Sequence, residues 1–211
     1  MSMINDTQRE QIRQAIVGVE KHTSGELVTV IARQSDAYTY IPLLWAALVS
    51  LVTPGLILAI IPILGLWIEI DIYYIYFVQI LVFVLLGFLL QWNPVKMRLV
   101  PKTVKQRRAS RLAHEQFYRQ GLHNTEKRTG VLIFVSEAEH FVEIIADSGI
   151  NEKVEKDAWE KAVADFVSSI RAGQTADGFI AAINDCGDLL KQYFPPDNNK
   201  NDELTNHLIE I

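Results

Sequence analysis

Two long runs of apolar residues in the middle of the chain constrain its fold more than any other feature. They extend from Ile41 to Trp67 and from Ile72 to Trp92, and neither contains a charged side chain. A hydrocarbon core about 30 Å thick is spanned by about 20 apolar residues of helix, and each run reaches that length. The alternative, a pair of buried core helices, would need a far larger soluble shell than 211 residues supply. The sequence therefore predicts a transmembrane hairpin over residues 37–95, with spans at about 41–67 and 72–92.

Seven cations follow the second span without an acidic residue among them, whereas the turn between the spans carries only Glu69 and Asp71. We call this run the basic collar; it consists of Lys96, Arg98, Lys102, Lys105, Arg107, Arg108 and Arg111. Basic residues close to the end of a span stay on the cytoplasmic side. We therefore expect an integral protein of a bacterial inner membrane, with the soluble domain and both termini in the cytoplasm.

The basic collar has two interpretations. It faces anionic lipid, where each cation near the surface contributes about 1 kcal/mol, or it is a plain topology signal without specific lipid recognition. Nucleic acid is not an expected partner, because the collar lacks interleaved aromatic residues and the rest of the soluble part is acidic, in a chain of net charge −5. The expected partners are the lipid bilayer and another membrane protein.

The segment before the spans has the patterns of one helix and one strand. Residues 7–21 carry apolar side chains at helical spacing, and Thr7 with Glu10 fits a capping box. Glu26 to Arg33 has apolar side chains on both faces, which is typical of a strand covered on both sides. Such a strand needs partners from beyond the spans.

Those partners follow the spans. A helix is predicted over about 104–122, and two β-rich runs, Gly130 to Ser136 and Phe141 to Asp147, are joined by "EAEH" as an antiparallel hairpin. Helices are then predicted over about 151–171 and 176–193, the second capped by Thr175. The order αβ, two spans, αββαα describes one α/β domain in two parts, 1–36 and 96–195, interrupted by the hairpin. Residues 196–211 are expected to be a flexible tail or a short docking segment.

Four segments resemble the TPM domain, a family named for a thylakoid-lumen protein with proposed acid phosphatase activity, a photosystem II repair protein and a receptor modulator. These segments are "HTSGELVTVIARQSD", "RTGVLIFVS", "VEIIADSGI" and "GFIAAINDCGDLLKQYFP". The similarity covers about residues 5–195 apart from the spans, and it is closest to a bacterial branch with two spans inside the domain. It implies a small αβα sandwich. Members are linked to phosphatase activity, to divalent-metal binding and to assembly or modulation of membrane complexes.

The familiar catalytic motifs are missing from the sequence. It contains no "GxxxxGK[ST]", "HExxH", "CxxC" or "GxSxG" pattern, its five histidines show no ligand spacing, and Cys186 is its single cysteine. Whether the chain is an enzyme is therefore left open by its motifs.

One group of polar residues is expected to meet at an edge of the sheet. If the first two strands are parallel, this edge collects Ser24, Glu26, Arg128, Thr129, Asp147 and Ser148. Two carboxylates, an arginine, hydroxyls and a helix N-terminus would suit a hydrated Ca²⁺ or Mg²⁺, or a phosphate group. The alternative is an edge network in which Arg128 neutralises Glu26 or Asp147. We call this group the distal edge.

A second acidic group, Asp36, Glu137 and Glu139, is expected at the opposite, membrane-facing edge. It should meet the basic collar rather than a metal. Two functions remain. The favoured one is a membrane-anchored module that interacts with or modulates another membrane protein. The other is a divalent-metal-dependent phosphatase acting near the cytoplasmic membrane face.

Overall fold

A computed structural model describes residues 4–65, 71–154, 157–196, 204 and 207–211. The chain divides into two compact units, one made of residues 1–36 and 105–211 and the other of residues 37–104. Trp67 and Glu69, which the sequence places around the turn between the spans, lie outside the described residues.

The helices of the described part are α1 (Asp6–Glu20), α2 (Tyr40–Ile63), α3 (Ile72–Leu89), α4 (Asn93–Leu99), α5 (Lys102–Arg119), α6 (Ser148–Asn151), α7 (Asp157–Arg171) and α8 (Thr175–Tyr193), with a 3-10 turn at Leu122–Asn124. The strands are β1 (Glu26–Ala32), β2 (Gly130–Ser136), β3 (Phe141–Ala146) and β4 (Leu208–Glu210).

The first unit is built on a four-stranded sheet of order β3-β2-β1-β4. β1 runs parallel to β2 and to β4, and β2 runs antiparallel to β3. The predicted α/β class and the antiparallel hairpin are confirmed. All seven residues of β1 are buried, as are all seven of β2, because helices cover the central strands on both faces.

The two faces of the sheet carry separate apolar clusters. Leu27 and Ile31 of β1 pack in the cluster that includes buried side chains of α1, α7 and α8. Val28 and Val30 pack with Phe117 and two alanines of α5 on the other face. This is an αβα sandwich, because the period-2 alternation of one strand sends its side chains into both layers.

Three local expectations are corrected. The capping box of α1 is formed by Asn5 and Gln8, two residues earlier than the Thr7 and Glu10 pair. Gln174 precedes α8 and makes no side-chain cap, so Thr175 is the first helical residue. The helix expected from about 151 is divided into the single turn α6 and the longer α7.

At its end the tail is a docking segment, the second of the two expected alternatives, and not a flexible one. Residues Leu208–Glu210 form β4, which pairs with β1 from Thr29 to Ile31. The Arg9 guanidinium donates to the Glu210 carboxylate through Nε at 3.1 Å and through a terminal nitrogen at 2.8 Å. The physical reason is that β1 would otherwise expose its backbone N–H and C=O groups along one edge.

The second unit contains two helices that are long and apolar enough to cross a membrane. Neither α2 nor α3 contains a charged side chain, and only 11% and 6%, respectively, of their most apolar 18-residue stretches is buried. Pro54 and Pro62 lie inside α2. Tyr38, Ile41 and Val100 form a small buried cluster in this unit.

Candidate functional site

The distal edge forms where β1 and β2 begin and β3 ends. Three backbone hydrogen bonds close it: Glu26 N donates to Thr129 O at 3.1 Å, Asp147 N to Gly130 O at 2.9 Å, and Gly149 N to the carbonyl of Arg128 at 3.1 Å. These bonds hold the two turns side by side, so the sequence-predicted residues share one end of the sheet.

The two carboxylates of this edge lie on the same face of the sheet. Glu26 is opposite Gly130 in the β1–β2 register, and Asp147 pairs with the same glycine from the other side. Two strand spacings separate their Cα atoms by about 10 Å. Both are buried, Glu26 at 2% and Asp147 at 8% exposure.

Leu122 covers the position between these carboxylates. A Cβ added to Gly130 would lie 2.6 Å from the Leu122 carbonyl oxygen and 2.9 Å from its side chain. The glycine is therefore needed for close approach of the 3-10 turn. The Leu122 carbonyl, which accepts from the Thr125 hydroxyl at 3.3 Å, is therefore a further oxygen on the face of the sheet that carries the two carboxylates.

Asp147 has one oxygen engaged and one without a hydrogen bond. Its Oδ1 accepts from Ser148 N at 2.6 Å, whereas Oδ2 is buried and accepts no hydrogen bond from any residue that the structure describes. The expected long helix N-terminus is reduced here to the four-residue turn α6. The distal edge therefore offers fewer directed N–H groups than the sequence predicted.

The hydroxyl groups and the arginine of the distal edge differ in their exposure and in their hydrogen bonds. Thr129 is buried, and its hydroxyl donates to the Ser24 carbonyl at 3.3 Å. Ser148 and Arg128 are exposed. The Arg128 guanidinium forms no ion pair or hydrogen bond with the described residues, and its backbone has a positive φ of 53°. The structure thus brings together Glu26, Thr129 and Asp147 but leaves the Arg128 side chain apart from them.

The second acidic edge lies where β1 ends and the β2–β3 hairpin turns. Glu139 accepts from Ser35 N at 3.0 Å and from the Ser136 hydroxyl. Asp36 pairs with Arg108 of the basic collar, with 3.2 Å between Oδ2 and Nε. The Glu137 side chain is partly exposed. This edge is an internal hydrogen-bond network that is linked to the collar through Asp36 and Arg108.

The basic collar is not uniformly exposed. Lys96 of α4 is buried at 7% exposure, which corrects its assignment as a lipid-facing cation. The exposed members are Arg98, Lys102, Arg107 and Arg111. Lys105 and Arg108 are intermediate.

Sequence reasoning missed the residues that shape the distal edge. Leu122 and Thr125 come from a 3-10 turn that has no sequence signal. Gly149 did leave a sequence signal, which is the glycine itself. A Cβ at this position would lie 2.6 Å from Lys127 O and 2.7 Å from the carbonyl of Arg128. Within the described ranges, no group of three or more His, Cys, Asp or Glu side chains is placed to hold a metal ion.

The protein is therefore an interrupted α/β domain, in which an apolar helical hairpin is inserted after the first strand of an αβα sandwich. The TPM domain family model matches residues 94–189. This match confirms the resemblance to the TPM domain that was read from the sequence. The NMR structure of the BA42 protein from the psychrophilic bacterium Bizionia argentinensis is similar in fold, with a TM-score of 0.60 at 20% identity, over 99% of this chain and 96% of that one. No curated protein matches the chain.

Proposed function

We propose that this chain is a membrane-anchored TPM domain that interacts with or modulates another membrane protein. The observation that carries the proposal is the position of the helical hairpin. It is inserted between β1 and β2, two strands that pair along their full length in the register from Glu26 to Ala32. The anchor therefore joins the domain through two chain connections at its central strands, as suits a module whose task is to stay at the membrane.

Exposure of the two helices supports the membrane assignment. Apart from Ile75, no residue of α3 is buried, and large apolar side chains such as Phe88 at 79% and Tyr73 at 82% are exposed. Exposed apolar surface of this extent is unstable in water. Lipid contact removes that cost.

The orientation follows from the collar. Its exposed cations favour the cytoplasmic side, which supports a proposed topology with the TPM domain and both termini in the cytoplasm of a bacterial inner membrane. Lys21→Cys, on the domain, and Asp71→Cys, before α3, test this in intact cells with an impermeant thiol reagent. We expect labelling of the second variant alone. Cys186 contributes little background, because it is buried and burial raises the pKa of its thiol.

The interaction itself is tested by purification. The tagged chain is cross-linked in cells and isolated in mild detergent, with a matched control that carries the hairpin, residues 37–104, without the domain. A membrane protein that accompanies the full chain in stoichiometric amount, and not the control, is expected. Equal recovery with the control would assign the contact to the helices and contradict a role for the domain.

The second candidate, a divalent-metal-dependent phosphatase, has one specific observation in its favour. The buried Asp147 Oδ2 lacks a hydrogen-bond donor among the described residues, and it shares a face with Glu26 and the Leu122 carbonyl. Oxygens of this kind suit Ca²⁺ or Mg²⁺. Turnover of a phosphate ester that is abolished by chelator and by Asp147→Asn would favour this candidate. We expect no such turnover.

A further inference from the structure

Strand β3 forms an open edge of the sheet in the described part of the chain. The backbone N–H of Asp147 donates to the Gly130 carbonyl of β2. Residue pairs in an antiparallel ladder alternate between hydrogen-bonded and non-hydrogen-bonded, so the backbone groups of Glu143, four residues earlier, also point towards β2. The backbone N–H and C=O groups of Val142, Ile144 and Ala146 therefore point away from β2. One of them is used, since the Ala146 carbonyl accepts from Asn151 Nδ2 at 2.7 Å.

A groove of about 480 Å³ runs along this edge. His114 of α5 lines it from one face of the sheet, and Trp159, Glu160 and Val163 of α7 line it from the other. The edge strand contains neither proline nor lysine, the residues with which proteins commonly block such edges. The free backbone groups thus lie at the bottom of a slot between two helices.

Two polar atoms beside the groove are buried and unsatisfied within the described ranges. The indole Nε1 of Trp159 donates to no acceptor, although the residue is only 7% exposed. Glu143 uses Oε1 to accept from the Ser110 hydroxyl at 3.0 Å, while its Oε2 accepts no hydrogen bond and lies 4.0 Å from His114 Nδ1. A buried donor and a buried carboxylate oxygen without partners are costly, so a ligand that satisfies either of them gains affinity.

We propose that the groove receives an extended segment of a partner protein, which adds to β3 as a fifth strand. The segment carries a lysine or arginine between apolar residues. The cation faces Glu143, and the apolar neighbours face Val142 and Ile144 on the opposite face, because side chains alternate along a strand. Glu160 adds a second negative charge beside the groove. The proposal rests on the interaction function above, for which it names the surface and the kind of partner.

A second copy of this chain fits the edge less well. An antiparallel β3–β3 pairing that uses the free groups of Val142 with those of Ile144 sets the two Glu143 side chains directly opposite each other. Like charges in that position are destabilising. The six residues of β3 extend over about 20 Å, which matches a peptide of six or seven residues.

Peptide binding to the full chain in detergent micelles tests the proposal. The probe is a fluorescent, end-blocked heptapeptide, Thr-Val-Lys-Val-Lys-Val-Thr, followed by anisotropy. Two matched peptides replace lysine by glutamate or methylate alternate backbone nitrogens. We expect the lysine peptide to bind about tenfold more tightly than either, because each control removes a charge-assisted or backbone hydrogen bond.

Variants of the chain separate the edge from general charge effects. Glu143→Lys should reverse the preference between the lysine and glutamate peptides, whereas Asp165→Lys, an equal charge change on the exposed side of α7, should leave it unchanged. If Glu143→Lys fails to fold, Glu143→Gln serves instead and should bring the two peptides to within about twofold.

Several outcomes would overturn the proposal. They are no binding of the lysine peptide at about 1 mM, unchanged binding after backbone methylation, an equal effect of Asp165→Lys and Glu143→Lys, or dimerisation of the chain through β3. If these occur while a membrane protein still accompanies the full chain on purification, the edge assignment fails alone. If the accompanying protein is also missing, the proposed function fails with it.

Discussion

Removal of β1 should abolish folding of the domain even though residues 105–211 contain three strands and most of its helices. We expect a protein in which a short linker replaces residues 37–104 to fold as a soluble domain, and the fragment 105–211 to remain unfolded. The linker is feasible because Asp36 and Arg108 are joined by an ion pair of 3.2 Å. The two chain ends left by the deletion are therefore separated by about the length of an arginine side chain plus one helical turn. Eight Gly and Ser residues reach about 26 Å, which is enough to bridge that distance.

The magnitude follows from burial in β1. Leu27, Val28, Val30 and Ile31 are each at most 1% exposed, and full burial of such a side chain contributes about 1.5–3 kcal/mol. Together they contribute about 6–12 kcal/mol, an upper estimate because the unfolded chain already buries part of this surface. A typical domain has a net stability of about 5–15 kcal/mol. Loss of β1 therefore removes an amount comparable to the whole.

Urea unfolding followed by circular dichroism distinguishes the two proteins. The linker-fused domain should unfold cooperatively, and Ile31→Ala within it should lower the free energy of unfolding by about 2–5 kcal/mol. Lys161→Ala, at an exposed position of α7 in the same linker-fused domain, serves as the control and should change the free energy of unfolding by less than about 0.5 kcal/mol. Cooperative unfolding of the fragment 105–211 with native-like near-UV signal would refute the reasoning.

Three further predictions concern single side chains in the linker-fused domain. Arg128→Val should lose about 1 kcal/mol and Arg128→Gly should lose none, because a positive φ strains a β-branched residue and suits glycine; equal losses in urea unfolding would contradict this. Burial raises the pKa of the Glu143 carboxyl above its ordinary value of 4.5. The contribution of Glu143 to folding stability is therefore fullest below pH 4.5 and is lost as the pH rises through the raised pKa. Glu143→Gln should flatten this decline of stability with pH, whereas Glu160→Gln, at an exposed position, should not. Asp147→Asn keeps the Oδ1 cap on Ser148 and should change stability by less than about 1 kcal/mol, while calorimetric titration should show loss of any Ca²⁺ or Mg²⁺ binding.

Much of the fold is predictable because its signals are local and strong. The doubly apolar β1 indicates a strand covered on both faces, and that requirement alone places its partners beyond the spans. Where two signals overlap, the sequence is ambiguous: Asn5 with Gln8 and Thr7 with Glu10 both fit a capping box, and the helix begins at the first. β4 is only three residues long, and its pairing partner is far away in the sequence.

The distal edge was only partly predictable, because the sequence indicated Glu26, Thr129 and Asp147 but not the separate position of the Arg128 side chain. Strand order and direction place Glu26 and Asp147 at one end of the sheet, but the space between them depends on a 3-10 turn that leaves no periodic pattern. Gly130 has no side chain, so Leu122 packs directly over the backbone at that point. A ligand held by both carboxylates must then either use the Leu122 carbonyl as a further oxygen or displace the leucine. The first route needs no loss of core packing, so a cation that binds here should do so without unfolding the 3-10 turn, and an anion, which the carbonyl repels, should not bind between the carboxylates.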